Sequence, residues 1–424
     1  MTVLTLVVVS LLLVLGVPIS VVMGLTTILC LFFFTTIPLQ TLFQQLFQGA
    51  EYDLLQAVIF FIASGAIMTR GTLAGKLIRV GRAMVGGFHG GLAITGILSC
   101  MFFAAISGSS PATLVAIGTI MIPALIRNGY GERFAIGLLT SSGTMGILIP
   151  PSIPMILWGV VMGVSITKQF MAGFLPGILL GSVLIAYSYH ISKRNGWKGS
   201  DVFSWKEFGA ALRDGIWSLF MPVLVLGGIY MGIFTSTEAA YVSFVYAMVV
   251  ELLIHRSLKL KDLVPIFKES VLTSAMLLFI IANASVLSYY FGVNEIPNTV
   301  AESLTRFITN KYVFLFLVNV ALLVMGCLMD IVSALFVLGP IFQPFLQKFG
   351  IDPIHFGIIL VLNIEIGFIT PPFGVNLFVS SALTKRGIVE IGRSVVPFIL
   401  LMISVLFLIT YIPWISLVLT RFVE

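Results

Sequence analysis

Apolar runs long enough to cross a lipid bilayer recur along the whole of this chain, and no other feature restricts its folding as much. About 30 Å of hydrocarbon needs roughly 20 residues of α-helix, and inside it every backbone polar group must find its partner within the protein. Such runs are read at 2–19, 20–36, 53–69, 88–126, 133–163, 172–192, 217–234, 237–254, 270–290, 311–347, 355–385 and 394–418. They are long and uninterrupted, which predicts an all-α, polytopic membrane protein. With 59% hydrophobic and 9% charged residues the chain lies far from soluble domains. The first run starts at residue 2, with no basic residue before it and no small-x-small site after it, so it reads as a retained membrane helix and not a cleaved signal peptide. Cys30, Cys100 and Cys327 are scattered through apolar runs and have neither disulfide nor metal-site spacing. The net charge of +6 comes from Lys and Arg in short loops, where it reports orientation and argues for no nucleic acid.

Four runs exceed one helix. Those at 88–126 and 311–347 carry small or polar residues at the centre, "AISGSSPAT" and "GCLMDIVSA", as expected of re-entrant hairpins with polar tips. Those at 133–163 and 355–385 are broken by "GTMGILIPPS" and "EIGFITPPFG". Proline removes a backbone donor and clashes with the preceding turn, so discontinuous helices with unwound centres are expected. A shift of 221 residues, without a gap, places Gly118 on Gly339, Pro123 on Pro344, Gly129 on Gly350, Gly146 on Gly367 and Pro150-Pro151 on Pro371-Pro372. Ten of the 43 positions from Ser109 to Pro151 are identical at this offset, glycines and prolines prominent among them.

The chain therefore divides into a first repeat at 1–192, a linker at 193–216 and a second repeat at 217–424. With non-crossing hairpins each half has an odd number of crossings, which inverts the second. Starting from an outside N-terminus, all of the 23 Lys and Arg except Lys168, Arg306, Lys311, Lys348 and Arg421 then face the cytoplasm. This obeys the positive-inside rule and predicts inverted-topology repeats with both termini periplasmic. In the linker, Trp205, Phe208, Leu212 and Trp217 suggest an interfacial amphipathic helix; an ordinary connector with a short helix is the alternative.

Unwound membrane segments expose carbonyls that can hold a dehydrated Na⁺, while helix N-termini favour an anion. In the first half Ser107, Gly108, Ser109 and Ser110 at the tip are expected to face Gly143, Gly146 and Pro150; in the second, Gly326 and Asp330 face Gly367 and Thr370. Membrane serines also bond simply to their own backbone, and Asp330, equivalent to Ser109, has the alternative of partnering a buried polar group. Glu365 reads as packing or helix-end support, with ion coupling as the other role. Asn363 and Asn376 could bond substrate oxygens or cap freed backbone groups; with Ser110, Pro151 and Pro371 they are the candidate substrate contacts. Glu238 suits a helix start. His89, His190, His255 and His355 stand apart near loop ends and read as solvated, and no HExxH pair or Ser with a general base is present, so an enzyme is not expected.

The runs "AISGSSPATLVAIGTIMIPALIRNGYGERFAIG", "GILIPPSIPMILWG", "FTSTEAAYV" and "FGIDPIHFGIILVLNIEIGFITPPFGVNLFV" closely resemble the large membrane subunit of TRAP transporters, the tripartite ATP-independent periplasmic carriers, and the similarity covers nearly the whole chain. The resemblance implies a secondary transporter in the bacterial cytoplasmic membrane, working with a periplasmic substrate-binding protein and a small four-helix membrane subunit. Since the chain opens on the large subunit, the small one is expected as a separate polypeptide. An elevator-type mechanism is implied, with both hairpins and both broken helices sliding against a scaffold of the remaining helices. The implied substrates are C4-dicarboxylates, sialic acid and other sugar or keto acids, taken up with two or more Na⁺. One Na⁺ site maps by this resemblance to Ser107, Ser109, Gly143 and Pro150, the other to Gly326, Asp330, Gly367 and Thr370. A stand-alone Na⁺-coupled divalent-anion carrier is the alternative within transport; a channel or membrane-embedded enzyme is the alternative outside it.

Overall fold

The computed structural model describes residues 19–35, 38–51, 53–199, 203–327, 329–372 and 374–423, with Val8, Leu11, Leu12 and Val17. The expected first span, 2–19, lies outside the described residues except for these four positions and Ile19. The described residues form helices and turns without strands. An outer group comprises α1 (Ile19–Phe34), α2 (Leu39–Ala50), α3 (Asp53–Arg70), then α11 (Trp205–Tyr230), α12 (Ser236–Val249, continued by a π-helical turn to Ile254) and α13 (Leu260–Val293). An inner group holds the hairpin α5 (Gly91–Ser107) with α6 (Ser110–Arg127) and the interrupted helix α7 (Glu132–Gly143), α8 (Met145–Leu148) and α9 (Ile153–Met162). It is completed by α10 (Ile166–Arg194), the hairpin α15 (Lys311–Gly326) with α16 (Ile331–Phe349), the interrupted α17 (Pro353–Phe368) and α18 (Val375–Thr384), and α19 (Ile388–Tyr411), followed by the short α20 (Trp414–Leu417). Two amphipathic helices, α4 (Leu73–Val85) and α14 (Ile296–Thr305), bridge the groups, α4 lying on α11 and α5, α14 on α13 and α16.

Eight of these helices are long and apolar enough to cross a membrane, nine if the bent pair 132–148 and 153–162, which turns by 41°, counts as one span. The helix limits recur at the 221-residue offset: α6 begins at Ser110 and α16 at Ile331, α7 at Glu132 and α17 at Pro353. Pro150-Pro151 and Pro371-Pro372 are both cis. The offset also shows one asymmetry, since α2 and α3 correspond to a single 34-residue helix, α13.

Several sequence expectations need correction. The segments between spans near 37–52, 70–87 and 291–310 hold α2, α4 and α14, whose polar faces kept them below the spanning criterion. The linker helix is not separate: α11 runs unbroken for 26 residues, its polar first turns tied to α4 by Lys76–Asp214 at 2.9 Å and Arg79–Glu207 at 3.0 Å. The loop expected at 256–268 shortens because α13 starts at Leu260. α10 and α19, expected in the scaffold, pack mainly on the inner group instead, α10 against α5 and α19 against α7. His355 is buried, its Nε2 3.4 Å from the Thr410 carbonyl, and His255 is partly buried beside Glu251, where burial and then Lys76 hold it below its ordinary pKa. Glu238 meets its expectation: it completes a capping box with Thr235, accepting from the Thr235 N–H at 2.8 Å.

The corner between α3 and α4 rests on Glu251, a fully buried carboxylate in the π-helical turn. Its Oε1 accepts from the backbone N–H of Thr72 at 2.9 Å and of Leu73 at 3.1 Å, and Ser257 bonds the other oxygen. Gly71 stands so close that a side chain there would strike this carboxylate. Glu251→Ala leaves the first donors of α4 unsatisfied and is expected to cost about 3 kcal/mol, read as a lower thermal-unfolding midpoint in detergent; an unchanged midpoint would show that water replaces the carboxylate without loss.

Candidate functional site

Each interrupted helix receives the tip of a hairpin. In the first half α5 ends at Ser107, Gly108 turns the chain at φ 58°, and Ser109 caps α6, its Oγ accepting from the Ala112 N–H at 3.5 Å. The Ser109 carbonyl collects the Thr113 hydroxyl at 2.9 Å and the Ser107 hydroxyl at 3.3 Å, and those hydroxyls are 2.8 Å apart. Gly146 of α8 lies directly on this knot: a Cβ there would come within 2.5 Å of the Ser109 carbonyl oxygen. A Cβ on Gly108 would stand 2.9 Å from the Pro151 carbonyl, and the Ile153 N–H reaches the Gly108 carbonyl at 3.4 Å. Backbone thus packs on backbone at the break, which only glycine permits. Gly143 sits a turn away, against Leu114 of α6.

The second half repeats this with different side chains. Gly326, ending α15, meets Ile364 and Gly367 of α17 so closely that a Cβ on Gly326 would lie 3.0 Å from the Ile364 Cα. Asp330 caps α16, accepting from the Ser333 N–H at 3.0 Å and its hydroxyl at 2.5 Å. Thr370 donates to the Ile366 carbonyl at 2.7 Å and neighbours the Cys327 thiol. Ser109 and Asp330, equivalent by the offset, are therefore both N-caps of the outgoing hairpin helix.

Of the candidate substrate contacts, Ser110 and Asn376 come together: the Asn376 Nδ2 donates to the Ser110 Oγ at 2.6 Å, joining the starts of α6 and α18, one from each half. Pro151 is at the first tip. Asn363 faces elsewhere, donating to the Asn319 Oδ1 at 2.7 Å, while the Asn319 Nδ2 reaches Thr410 at 3.1 Å, a buried ladder between α17, α15 and α19. Pro371 is exposed and lies against Gly392 of α19. Thr113, which braces the first tip, was not singled out in the sequence; its repeat equivalent is Ala334, so no paired signal marks it.

Residues 6–415 match the family of the DctM component of tripartite ATP-independent periplasmic transporters. The chain belongs to the TRAP transporter large permease family. The C4-dicarboxylate TRAP transporter large permease of Rhodobacter capsulatus is 40% identical over 418 residues, covering 95% of each chain. The isethionate TRAP transporter permease DctMQ of Oleidesulfovibrio alaskensis is 40% identical over 405 residues, covering 95% of this chain and 64% of that longer protein. Among solved structures, the Alcanivorax borkumensis YdaH transporter superposes with a TM-score of 0.65 over 88% of each chain at 14% identity, a likeness of fold alone. As a TRAP large permease the chain is a multi-pass transporter subunit of the bacterial membrane, and that family works with a small membrane subunit and a periplasmic binding protein.

The donor set at the two tips of this permease is hydroxyl, carbonyl and carboxylate oxygen, hard ligands suited to an alkali cation. Among the described residues no three His, Cys, Asp or Glu gather as a transition-metal site would require.

Proposed function

We propose that the chain couples inward movement of Na⁺ to uptake of a small organic anion. The anion is delivered by a periplasmic substrate-binding protein, a small four-helix membrane subunit is a partner, and the inner helix group slides against the outer one as an elevator. The observation that carries this reading is the pairing, repeated at one offset, of a polar hairpin tip with a glycine-lined break in the next helix. Such breaks put unwound carbonyls beside helix N-termini, the arrangement by which transporters hold a cation and an anion together. The named substrates of the two relatives, C4-dicarboxylate and isethionate, share a small organic frame and an acidic group.

The test is uptake in proteoliposomes holding both membrane subunits, with the binding protein and substrate outside. An inward Na⁺ gradient is expected to drive accumulation, and K⁺ on both sides to reduce it to background. Full uptake in K⁺ would sink the coupling, and uptake without the binding protein would make the chain a stand-alone carrier.

A further inference from the structure

Glu365 is fully buried in α17, and neither carboxyl oxygen has a hydrogen-bond partner among the described residues. Its polar neighbour is the Ser110 hydroxyl, which lies outside bonding geometry. Ser110 is also fully buried and accepts from the Asn376 Nδ2 at 2.6 Å. Asn376 is fully buried too, and its Oδ1 is likewise unpartnered among the described residues. Among the described residues the group thus has three unpartnered acceptor oxygens around one hydroxyl, and no basic side chain acts on the Glu365 carboxyl. A buried carboxylate left so is costly at membrane depth and calls for positive charge.

Resting on the Na⁺-coupled reading above, we propose that Glu365, Asn376 and Ser110 form a further Na⁺ site, distinct from the two at the tips. Glu365 and Gly367 are two residues apart on one helix, so their side-chain directions diverge: Gly367 meets Gly326 of the second hairpin, whereas Glu365 neighbours Ser110 of the first. The tip sites are related by the repeat, but this one is not. At the 221-residue offset Glu365 falls on Thr144, Asn376 on Met155 and Ser110 on Ile331, so neither half could build it alone. Carboxylate, amide and hydroxyl oxygens are suitable ligands for Na⁺. A cation held there joins the first hairpin to the second interrupted helix, so that its binding favours one arrangement of the two halves.

The test compares wild type, Glu365→Gln and Asn376→Ala in the complex with the small subunit. Two quantities are measured: thermal stabilisation by NaCl against choline chloride, and the number of Na⁺ moved per substrate in proteoliposomes. Losing the charged ligand is expected to raise the half-stabilising Na⁺ concentration about tenfold or more and to lower the Na⁺ count per substrate by one ion. Asn376→Ala, which keeps the carboxylate, should shift the concentration in the same direction by less, and it serves if Glu365→Gln does not fold. If wild type needs Na⁺ but both variants titrate and count as wild type does, the site is overturned and the coupling stands. If Glu365→Gln changes the pH response of uptake and not the Na⁺ count, the carboxyl carries a proton and the site is again overturned. A wild type indifferent to Na⁺ overturns the coupling and the site together.

Discussion

A Gly367→Ala protein is expected to fold, reach the membrane and transport almost nothing. A Cβ on Gly367 would stand within 2.5 Å of the Cα and carbonyl oxygen of Gly326, and both are backbone atoms with no rotamer to yield. The second hairpin must then retreat from the break. Overpacking of this kind costs about 1–3 kcal/mol, which a protein this thoroughly buried can absorb. Displacing ligands by roughly 1 Å, however, can cost about a hundredfold in a positioned site, and uptake is expected to fall by that much. Uptake per folded molecule, normalised by size-exclusion chromatography, measures it. Wild-type uptake in the variant would mean that close seating of this tip is dispensable.

The second large effect concerns Asp330, a helix cap that the proposed coupling also makes a Na⁺ ligand. As N-cap it accepts from the Ser333 N–H, and asparagine caps a helix about as well as aspartate. Asp330→Asn therefore keeps the cap while removing the charge. Its thermal midpoint without Na⁺ should match wild type, whereas the half-saturating Na⁺ concentration for uptake should rise about tenfold. Asp330→Ala also loses the cap, at about 1 kcal/mol, and should lower the thermal midpoint as well as raise the half-saturating Na⁺ concentration. Unchanged Na⁺ dependence in Asp330→Asn would leave the carboxylate a cap and nothing more.

The spans, hairpins and breaks were legible because each depends on short stretches of chain. About 20 apolar residues make a spanning helix wherever they occur, and Gly108 or a Pro pair interrupts one through its own backbone limits. The amphipathic helices α2, α4 and α14 were less legible, since their apolar stripes are too narrow to raise mean hydropathy. The histidines were misread for a related reason. His355 and His255 are near helix ends in the chain, but what covers them, Thr410 in one case and Glu251 with Thr72 in the other, is remote in sequence or brought near by the π-helical turn.

By itself, then, the sequence determined that the chain is an all-α membrane protein and marked the glycines and prolines at which its helices break, because transfer into lipid and backbone freedom are properties of local segments. Only the tertiary structure decided what those breaks touch. It sent Asn363 to Asn319 and Pro371 to Gly392, made Asp330 a cap, and brought Asn376 to Ser110 across 266 residues of chain, leaving Glu365 unpartnered beside them. Hydrogen bonds act over about 3 Å in a fixed direction. Which polar group meets which is therefore settled by how the helices pack, a relation that no single stretch of sequence contains.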